Sequence, residues 1–439
     1  MERPIVAIVG RPNVGKSTLF NRIVGRRIAI VEDTPGITRD RLYAEAEWKG
    51  RQFVVTDTGG ILFNEEDPIS MRVAQQAQLA VEEADVILFM TDAAEGVTPT
   101  DEMIANELRK TNVPVLLVAN KADNEAREQE SADFYKLGLG KVYPVSSVHG
   151  RGVAELLDDM LKAMPAEGEI DEYPEEAVKL AIVGRPNVGK SSLLNAILGE
   201  ERVIVSEKPG TTRDAIDTRF TRGDQEIVLI DTAGIRRAGK IQGSVEYYTV
   251  LRAIRALERS DVAFLVTDAE QGLTDGDKRV GGYIHQAGRG CVVVVNKWDL
   301  KKGRSTYRQF ADEIRRDMPF LDYAPIVFTS AKERWGITDA VNTAIEAAEN
   351  HALRIPTGEL NRLIQDAVDE KPLSRKGRML KIKYATMPSV KPPTIVLFVN
   401  DPDLLHFSYV RYIENQIRKT YGYEGTPIRI VPRKAEKER

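Results

Sequence analysis

The chain has 439 residues, 42% hydrophobic and 29% charged, with a formal net charge of −4, the profile of a soluble globular protein of about three domains, each able to bury its own core. Its one cysteine, Cys291, excludes an intramolecular disulfide and a cysteine-based zinc site, and its place in the run CVVVV marks it as a buried apolar residue. No apolar run approaches the ~20 residues of a spanning helix, and MERPIVAIVG lacks the basic-then-apolar order of a secretory leader, so a reducing, cytoplasmic location is expected.

In chain order, IVAIV, FVVT, VILFMT, VPVLLVA and KVYPV are short, continuous and rich in β-branched residues, as strands buried on both faces are. Segments such as MRVAQQAQLAVEE and DEMIANELRKT lie between them, with apolar residues at helical spacing. The alternation predicts βαβ units in a doubly wound, mostly parallel sheet over residues 1–163. Residues 164–177 hold six acids, two prolines and no base, the composition of an extended, self-repelling linker.

The string VGRPNVGKS then returns letter for letter, 9–17 reappearing as 183–191. At the same offset PGITRD (35–40) answers PGTTRD (209–214), and DTGG (57–60) answers DTAG (231–234); NKAD (120–123) answers NKWD (296–299) two residues further on. A period this long is a duplicated domain, which places the second copy at 178–352.

Residues 353–439 break the pattern. TGELNRLIQDAVDE predicts a helix capped by Thr357, with Leu360, Leu363, Ile364, Ala367 and Val368 inward. RMLKIKYATM and TIVLFV predict strands, DLLHFSYVRYIENQIRKTY a second helix, and PIRIVP a last strand. The order α-β-β-α-β implies a small α+β domain with its helices on one face of a three-stranded sheet. From residue 351 onward there are 17 basic and 10 acidic residues, a net of +7 against −11 for the remainder, which points to an anionic partner for this end.

The repeated strings carry the chemistry. Each GxxxxGK[ST] loop follows a strand and opens a helix, the context in which such a loop cradles phosphates. The first comprises Gly10, Arg11, Pro12, Asn13, Val14, Gly15, Lys16, Ser17 and Thr18; the second Gly184, Arg185, Pro186, Asn187, Val188, Gly189, Lys190, Ser191 and Ser192. The glycines let backbone N–H groups turn around the anion. Lys16 and Lys190 can reach the β- and γ-phosphates as catalytic cations, Ser17 and Ser191 can offer a hydroxyl to Mg²⁺, and the following helix turns its positive end to the same charge. Thr38 and Thr212, in the repeated PGxTRD, can complete the Mg²⁺ shell and sense the γ-phosphate, a second candidate catalytic pair.

Asp57 and Asp231 end apolar strands, where a carboxylate can hold Mg²⁺ through water. Thr58, Gly59 and Gly60, and Thr232, Ala233 and Gly234, complete the DxxG strings, whose last glycine frees an N–H for the γ-phosphate; loss of that phosphate would release both loops. In NKxD, Asp123 and Asp299 can accept from guanine N1–H and N2–H₂, a donor pair adenine lacks. Asn120 and Asn296 buttress the loop, and the stems of Lys121 and Lys297 can cover the base. Ser146 and Ser147, and Ser330, Ala331 and Lys332, place backbone amides where guanine O6 would lie. Phosphate loop, DxxG and NKxD in this order select GTP over ATP.

Together these residues resemble translation-factor-like GTPases of the Era and TrmE type, and two such domains before an αββαβ tail are similar to the EngA (Der) family over essentially the whole chain. The resemblance implies two tandem P-loop GTPase domains and a C-terminal KH-like domain, a slow GTP-hydrolysing switch using GTP/GDP and Mg²⁺, and a role in large ribosomal subunit assembly through ribosomal RNA. Ras-like enzymes place a water-orienting Gln after DxxG; here the position holds Ile61 and Ile235, which can neither donate nor accept. The resemblance implies instead a potassium ion held partly by Asn13 and Asn187, stabilising developing charge; the other role open to these asparagines is to shape the loop. GYEG (422–425) has the GxxG spelling of a KH clamp, but it lies between a helix and a strand and contains an acid, so it reads as a helix C-cap and turn. RNA contact is expected from Arg375, Lys376, Arg378, Lys381, Lys383, Arg433 and Lys434.

The copies differ after DxxG: ILFNEED in the first, IRRAGK with Arg236, Arg237 and Lys240 in the second. The nucleotide in each site is expected to set how the domains dock and which RNA-binding surface is exposed. Two further readings fit the same motifs: a GTPase acting in another RNA process such as tRNA modification, and a nucleotide-stabilised RNA-binding scaffold with little turnover.

Overall fold

The computed structural model describes residues 3–25, 43–57, 84–165, 176–200, 202–204, 217–232, 245–301, 306–375 and 378–435, with isolated positions 78, 81, 173, 174 and 235. The chain divides into two compact units, one of residues 1–34, 38–173 and 242–258, the other of 35–37, 174–241 and 259–439.

In the first unit the strands are β1 (Ile5–Val9), β2 (Tyr43–Trp48), β3 (Arg51–Asp57), β4 (Val86–Asp92), β5 (Val115–Asn120) and β6 (Val142–Pro144). They form one sheet in the order β2-β3-β1-β4-β5-β6, parallel except where β2 pairs antiparallel with β3. All five residues of β1 are buried, and their alternation divides the core between two faces. Val6 and Ile8 pack with Leu19, Phe20 and Ile23 of the helix Lys16–Val24 and with Leu156, Leu157 and Met160 of the helix Val153–Ala163. Ala7 and Val9 pack with Ile104, Ala105 and Leu108 of the helix Pro99–Leu108 on the other face. Each of the Val, Ile, Leu, Phe and Met side chains here, fully buried, is worth about 1.5–3 kcal/mol. Strand β2 was not legible: the alternating Ala and Glu of YAEAEW are weak strand-formers, and the strand is held by its pairing with β3, by burial of Ala46 with Ala44 and Trp48 packed on the core, and by the Trp48 Nε1 hydrogen bond to Asp158 at 2.8 Å.

The second unit repeats the plan with β7 (Val178–Val183), β8 (Arg202–Ile204), β9 (Thr218–Arg222), β10 (Gln225–Ile230), β11 (Val262–Asp268), β12 (Gly290–Asn296) and β13 (Ile326–Phe328), ordered β13-β12-β11-β7-β10-β9-β8. Cys291 is fully buried in β12, and burial pushes its thiol pKa well up.

The same unit ends in the expected α+β element. Helices Thr357–Glu370 and Phe407–Tyr421 pack on one face of a sheet of β16 (Ile382–Ser389), β17 (Thr394–Val399) and β18 (Arg429–Lys434), in that order; β14 (Ser374–Arg375) and β15 (Arg378–Met379) make a separate hairpin. The inward residues Leu360, Ile364, Ala367, Tyr409, Ile413 and Ile417 are buried. Two boundaries differ from expectation. Thr357 is the first helical residue and caps nothing, Pro356 standing at the N-cap. The second helix begins only at Phe407, because the His406 side chain accepts from the Ser408 amide and starts it there.

GYEG is a turn that seats this element on the second copy. Gly422 ends the helix and Tyr423 is fully buried, its hydroxyl donating to the Leu353 carbonyl at 3.0 Å. The Gly425 amide donates to the Tyr323 carbonyl at 2.9 Å, and its carbonyl accepts from the Cys291 amide at 2.7 Å. Gly425 has φ 78°, and a Cβ there would lie 2.5 Å from the Ala347 Cβ, so only glycine fits both the backbone and the contact. Arg429 Nη2 donates to the Gln286 carbonyl at 2.8 Å, and Lys391 Nζ pairs with Asp261 at 3.1 Å.

Candidate nucleotide sites

In both copies the motif residues gather at the carboxyl ends of the parallel strands, where an open α/β sheet forms its ligand crevice. The first loop lies between the end of β1 and the helix Lys16–Val24, with Asp57 ending β3, Asn120 ending β5 and Ser146 just past β6.

Asn120 is the keystone of the first site. It is buried; its Nδ2 donates to the Val14 carbonyl of the phosphate loop at 2.8 Å, and its Oδ1 accepts from the Ser147 amide at 3.0 Å and hydroxyl at 2.8 Å. Asn296 does the same, donating to the Val188 carbonyl at 3.0 Å and accepting from the Ala331 amide at 3.1 Å. The Ser147 and Ala331 amides are thus engaged by asparagine instead of standing open toward a base.

The two NKxD carboxylates are each held by a serine hydroxyl. Ser146 Oγ donates to Asp123 Oδ1 at 2.6 Å, and Ser330 Oγ to Asp299 Oδ1 at 2.6 Å. Asp123 and Asp299 remain exposed, and Arg127 lies 3.3 Å from the second oxygen of Asp123. Lys332 is exposed beside Glu333.

Lys16 Nζ donates to the Gly10 and Arg11 carbonyls at 2.7 and 2.8 Å, and Lys190 Nζ to the Gly184 and Arg185 carbonyls at 2.7 Å each. Burial lowers the pKa of each to about 8, because a desolvated ammonium loses its charge more readily. Asn13 and Asn187 adopt φ 66° and 65°, the left-handed region that Asn tolerates best after glycine, and both are exposed. The loop-shaping role is therefore visible in the backbone, and the amides still face outward. Pro12, Thr18 and Ser192 are exposed and Pro186 half-buried.

The Mg²⁺ candidates differ between copies. Ser17 Oγ donates to Asp57 Oδ2 at 2.6 Å, which puts two hard oxygen donors side by side, as Mg²⁺ requires. Ser191 Oγ instead donates to the Ile235 carbonyl at 2.9 Å, while the Asp231 amide is held by Asp217 Oδ1 at 2.8 Å. Ile235 is buried in the core of the second copy. Thr232 is buried, its hydroxyl 2.9 Å from that of Thr218. Among the described residues no cluster of three or more His, Cys, Asp or Glu could cage a metal; a magnesium here would share its shell with phosphate. Thr38, Thr58, Gly59, Gly60, Ile61, Thr212, Ala233, Gly234, Arg236, Arg237, Lys240 and Lys376 lie outside the described residues.

Two supports escaped the sequence reading. Buried Asp92 and Asp268 fix the NKxD lysines, Lys121 Nζ lying 2.5 Å from Asp92 and Lys297 Nζ 2.7 Å from Asp268; Lys297 also donates to the Asn187 carbonyl at 2.7 Å. Arg11 pairs with Asp101 at 3.4 Å and Arg185 with Asp277 at 3.1 Å. The signals were present: TDA at 91–93 and 267–269, and GxTxxD at 96–101 and 272–277, recur at the NKxD offset.

The expected basic residues do not share one face. Arg378, Lys381, Lys383, Arg433 and Lys434 are all exposed, with Arg378 3.6 Å from Asp401. Arg375 lies in β14. Strand alternation sends Arg433 and Lys434 to opposite sides of the sheet.

A duplicated phosphate-loop, NKxD and serine constellation, on two parallel sheets with an α+β element seated on the second, defines the class: a tandem GTPase. Comparisons with known proteins narrow it. The family described as "50S ribosome-binding GTPase" matches residues 5–121 and 179–297, and the "KH-domain-like of EngA bacterial GTPase enzymes, C-terminal" matches 354–433. Proteins named GTPase Der from Staphylococcus carnosus and Pelotomaculum thermopropionicum are 55% identical over 436 residues and 54% over 440, covering 99% and 100% of this chain and the whole of each relative. An Era structure from Aquifex aeolicus with GDP and AlF₄⁻ matches at 26% identity over 59% of this chain and 88% of its own, with a TM-score of 0.31. The chain belongs to the EngA (Der) family of GTPases, and its reaction is hydrolysis of GTP to GDP and phosphate. Among the described residues no helix is long and apolar enough to cross a membrane.

Proposed function

We propose that this chain is a two-site GTP switch, residues 1–163 and 178–352 each holding one nucleotide, that assists assembly of the large ribosomal subunit in the cytoplasm by binding ribosomal RNA through residues 353–439. The observation that carries the reading is the coupling of Asn120 and Asn296 to phosphate loop and base loop at once, present in both copies, together with a basic α+β domain seated on the second. The family description "50S ribosome-binding GTPase" supports the choice of partner.

In each site the loop amides and the lysine, Lys16 or Lys190, bind the phosphates, and Asp123 or Asp299 reads the guanine edge. Ser17, Thr38 and Asp57 would hold Mg²⁺ in the first site and Ser191, Thr212 and Asp231 in the second; the ion supplies charge neutralisation at the phosphates. Thr38 and Thr212 report the γ-phosphate. The Gln of Ras-like enzymes is replaced by isoleucine, so the residues leave room for potassium at Asn13 and Asn187 and for slow turnover in its absence. Nucleotide state then governs docking between the domains joined by residues 164–177.

Co-sedimentation with ribosomal subunits tests this. With a GTP analogue the chain should pellet with large subunits and with GDP it should not; Lys16→Ala or Lys190→Ala should lessen the difference. Equal pelleting in both states, with unchanged solution scattering, would overturn the switch.

A further inference from the structure

The sheet β16-β17-β18 carries helices on one face only. On that face lie Ala385, Met387, Ile395, Leu397, Val399 and Ile430, all buried. By alternation the other face presents cross-strand rows. At one end Thr394 stands beside Arg429, and Arg429 Nη2 donates to the Gln286 carbonyl of the second GTPase domain, so this end is covered. At the other, Tyr384 pairs with Phe398, and Phe398 with Arg433. The two rings stack with centroids 4.2 Å apart and planes 16° from parallel. Tyr384 is nevertheless 46% exposed, and Arg433 is exposed beside them. A register shift between Ile382 and Tyr384 leaves Lys383 as the extra residue of a bulge, a device that re-aims side chains and is over-represented at sites of function.

An exposed aromatic pair extended by an arginine is suited to one class of ligand. An unpaired base has a flat π-face that can continue the Tyr384–Phe398 stack, and the phosphates of its strand meet the guanidinium; duplex RNA hides its base faces and offers base edges, 2′-hydroxyls and backbone. An aliphatic protein surface would leave the arginine without an anionic partner. The net +7 from residue 351 onward fits the same polyanion. We propose that Tyr384, Phe398 and Arg433 form a stacking platform for unpaired bases of single-stranded RNA, on the sheet face opposite the helices and away from GYEG. The proposal deepens the RNA-binding reading given above and rests on it.

The test uses the full-length chain, a fluorescent single-stranded oligoribonucleotide and a duplex of matched sequence, by anisotropy across a salt series. Tyr384→Ala should weaken single-strand binding about tenfold, base–aromatic stacking being worth about 1–3 kcal/mol per base, and Tyr384→Phe should restore it. Arg433→Ala should weaken binding and shallow the log–log salt slope by about 0.7, whereas Tyr384→Ala should leave that slope unchanged. GTP hydrolysis should be the same in all three variants. If the wild type binds the single strand and Tyr384→Ala binds equally well, or the duplex competes as strongly as the single strand, the platform is wrong while RNA binding stands. If Tyr384→Ala weakens ribosomal-subunit binding yet leaves oligonucleotide binding intact, the patch meets protein and the platform is again wrong. If the wild type binds neither RNA nor subunits in any nucleotide state, the RNA-binding reading falls and the platform with it.

Discussion

Arg185 in the second phosphate loop pairs with Asp277, a fully buried carboxylate that also caps the helix Asp275–Ala287 by accepting from the Thr274 amide and hydroxyl at 3.0 and 2.7 Å. One side chain thus fixes a loop to a helix start, and burial raises its own pKa. Asp277→Asn keeps the cap acceptor but removes the arginine's charged partner, leaving Arg185 its hydrogen bond to Gln271 Oε1 at 2.7 Å. It should destabilise the second unit by about 1.5 kcal/mol, the loss of one charge-assisted hydrogen bond, and weaken guanine-nucleotide binding at the second site. Calorimetry in a Lys16→Ala background reads the affinity. A double-mutant cycle with Arg185→Ala should show that the two losses do not add; additive losses would deny the coupling.

Gly189 lies against Asn296. It has φ 97°, and a Cβ there would fall 2.3 Å from Asn296 Nδ2. Gly189→Ala should therefore displace the asparagine that joins phosphate loop to base loop, and cost the second site at least about tenfold in GDP affinity. Gly50→Ala is the control, since Gly50 has φ 85° and open space around its Cβ position. It should cost only the backbone strain, about 1–2 kcal/mol of stability, with nucleotide affinity unchanged. Equal effects on affinity would separate the loss from the asparagine.

The parts of this molecule that were legible share one property: their signal is local. Buried parallel strands read as continuous apolar runs, and the motif strings sit at their ends. What was not legible depends on partners distant in sequence. YAEAEW becomes a strand because Arg51–Asp57 offers it an edge. Asp92 and Asp277 look like ordinary surface acids until the fold closes lysine and arginine over them. GYEG could be separated from a KH clamp by its position, but its docking on Tyr323 and Cys291 could not. The isolated GxTxxD string reads only as a helix start; its repetition at the NKxD offset was the available sign of more.

The carboxylates Asp123 and Asp299, each fixed by a serine hydroxyl at 2.6 Å, are the groups proposed above to read the purine. Asp299→Asn replaces an acceptor by a donor and should shift the second site from guanine to xanthine nucleotides while the first keeps its preference; Asp123→Asn should do the converse. Ser330→Ala should weaken GDP binding by a smaller amount, about 1 kcal/mol, without changing the preference. Competition binding with GDP, XDP and ADP checks all three, and unchanged guanine preference in the aspartate variants would remove these residues from the base pocket.

Lys16 and Lys190 have pKa values of about 8 because they are desolvated. Phosphate beside the ammonium favours its charged form, so the bound pKa must rise. Nucleotide binding should take up protons above about pH 8 and weaken as pH rises further, with little dependence below pH 7, where both lysines are charged in either state. Calorimetry in buffers of different ionisation enthalpy at pH 8.5 should show net uptake, smaller by one site's share in Lys190→Ala. Proton release on binding would contradict the assignment.

His351 sits fully buried between the second GTPase domain and the C-terminal element, its Nδ1 against the Thr426 hydroxyl. Burial, aided by nearby Arg289, lowers its pKa to about 3, below the ordinary 6.5. A histidine neutral in the native state binds its proton only on unfolding, so it leaves stability unaffected above about pH 6.5 and lowers it as pH falls from there toward 3. The slope is about 1.4 kcal/mol per pH unit while only the unfolded form is protonated. Thermal unfolding of wild type and His351→Gln between pH 7 and pH 5 should show the variant losing less stability over that interval, whatever its stability at pH 7. Parallel pH dependence of the two would mean that the imidazole is already charged in the folded interface.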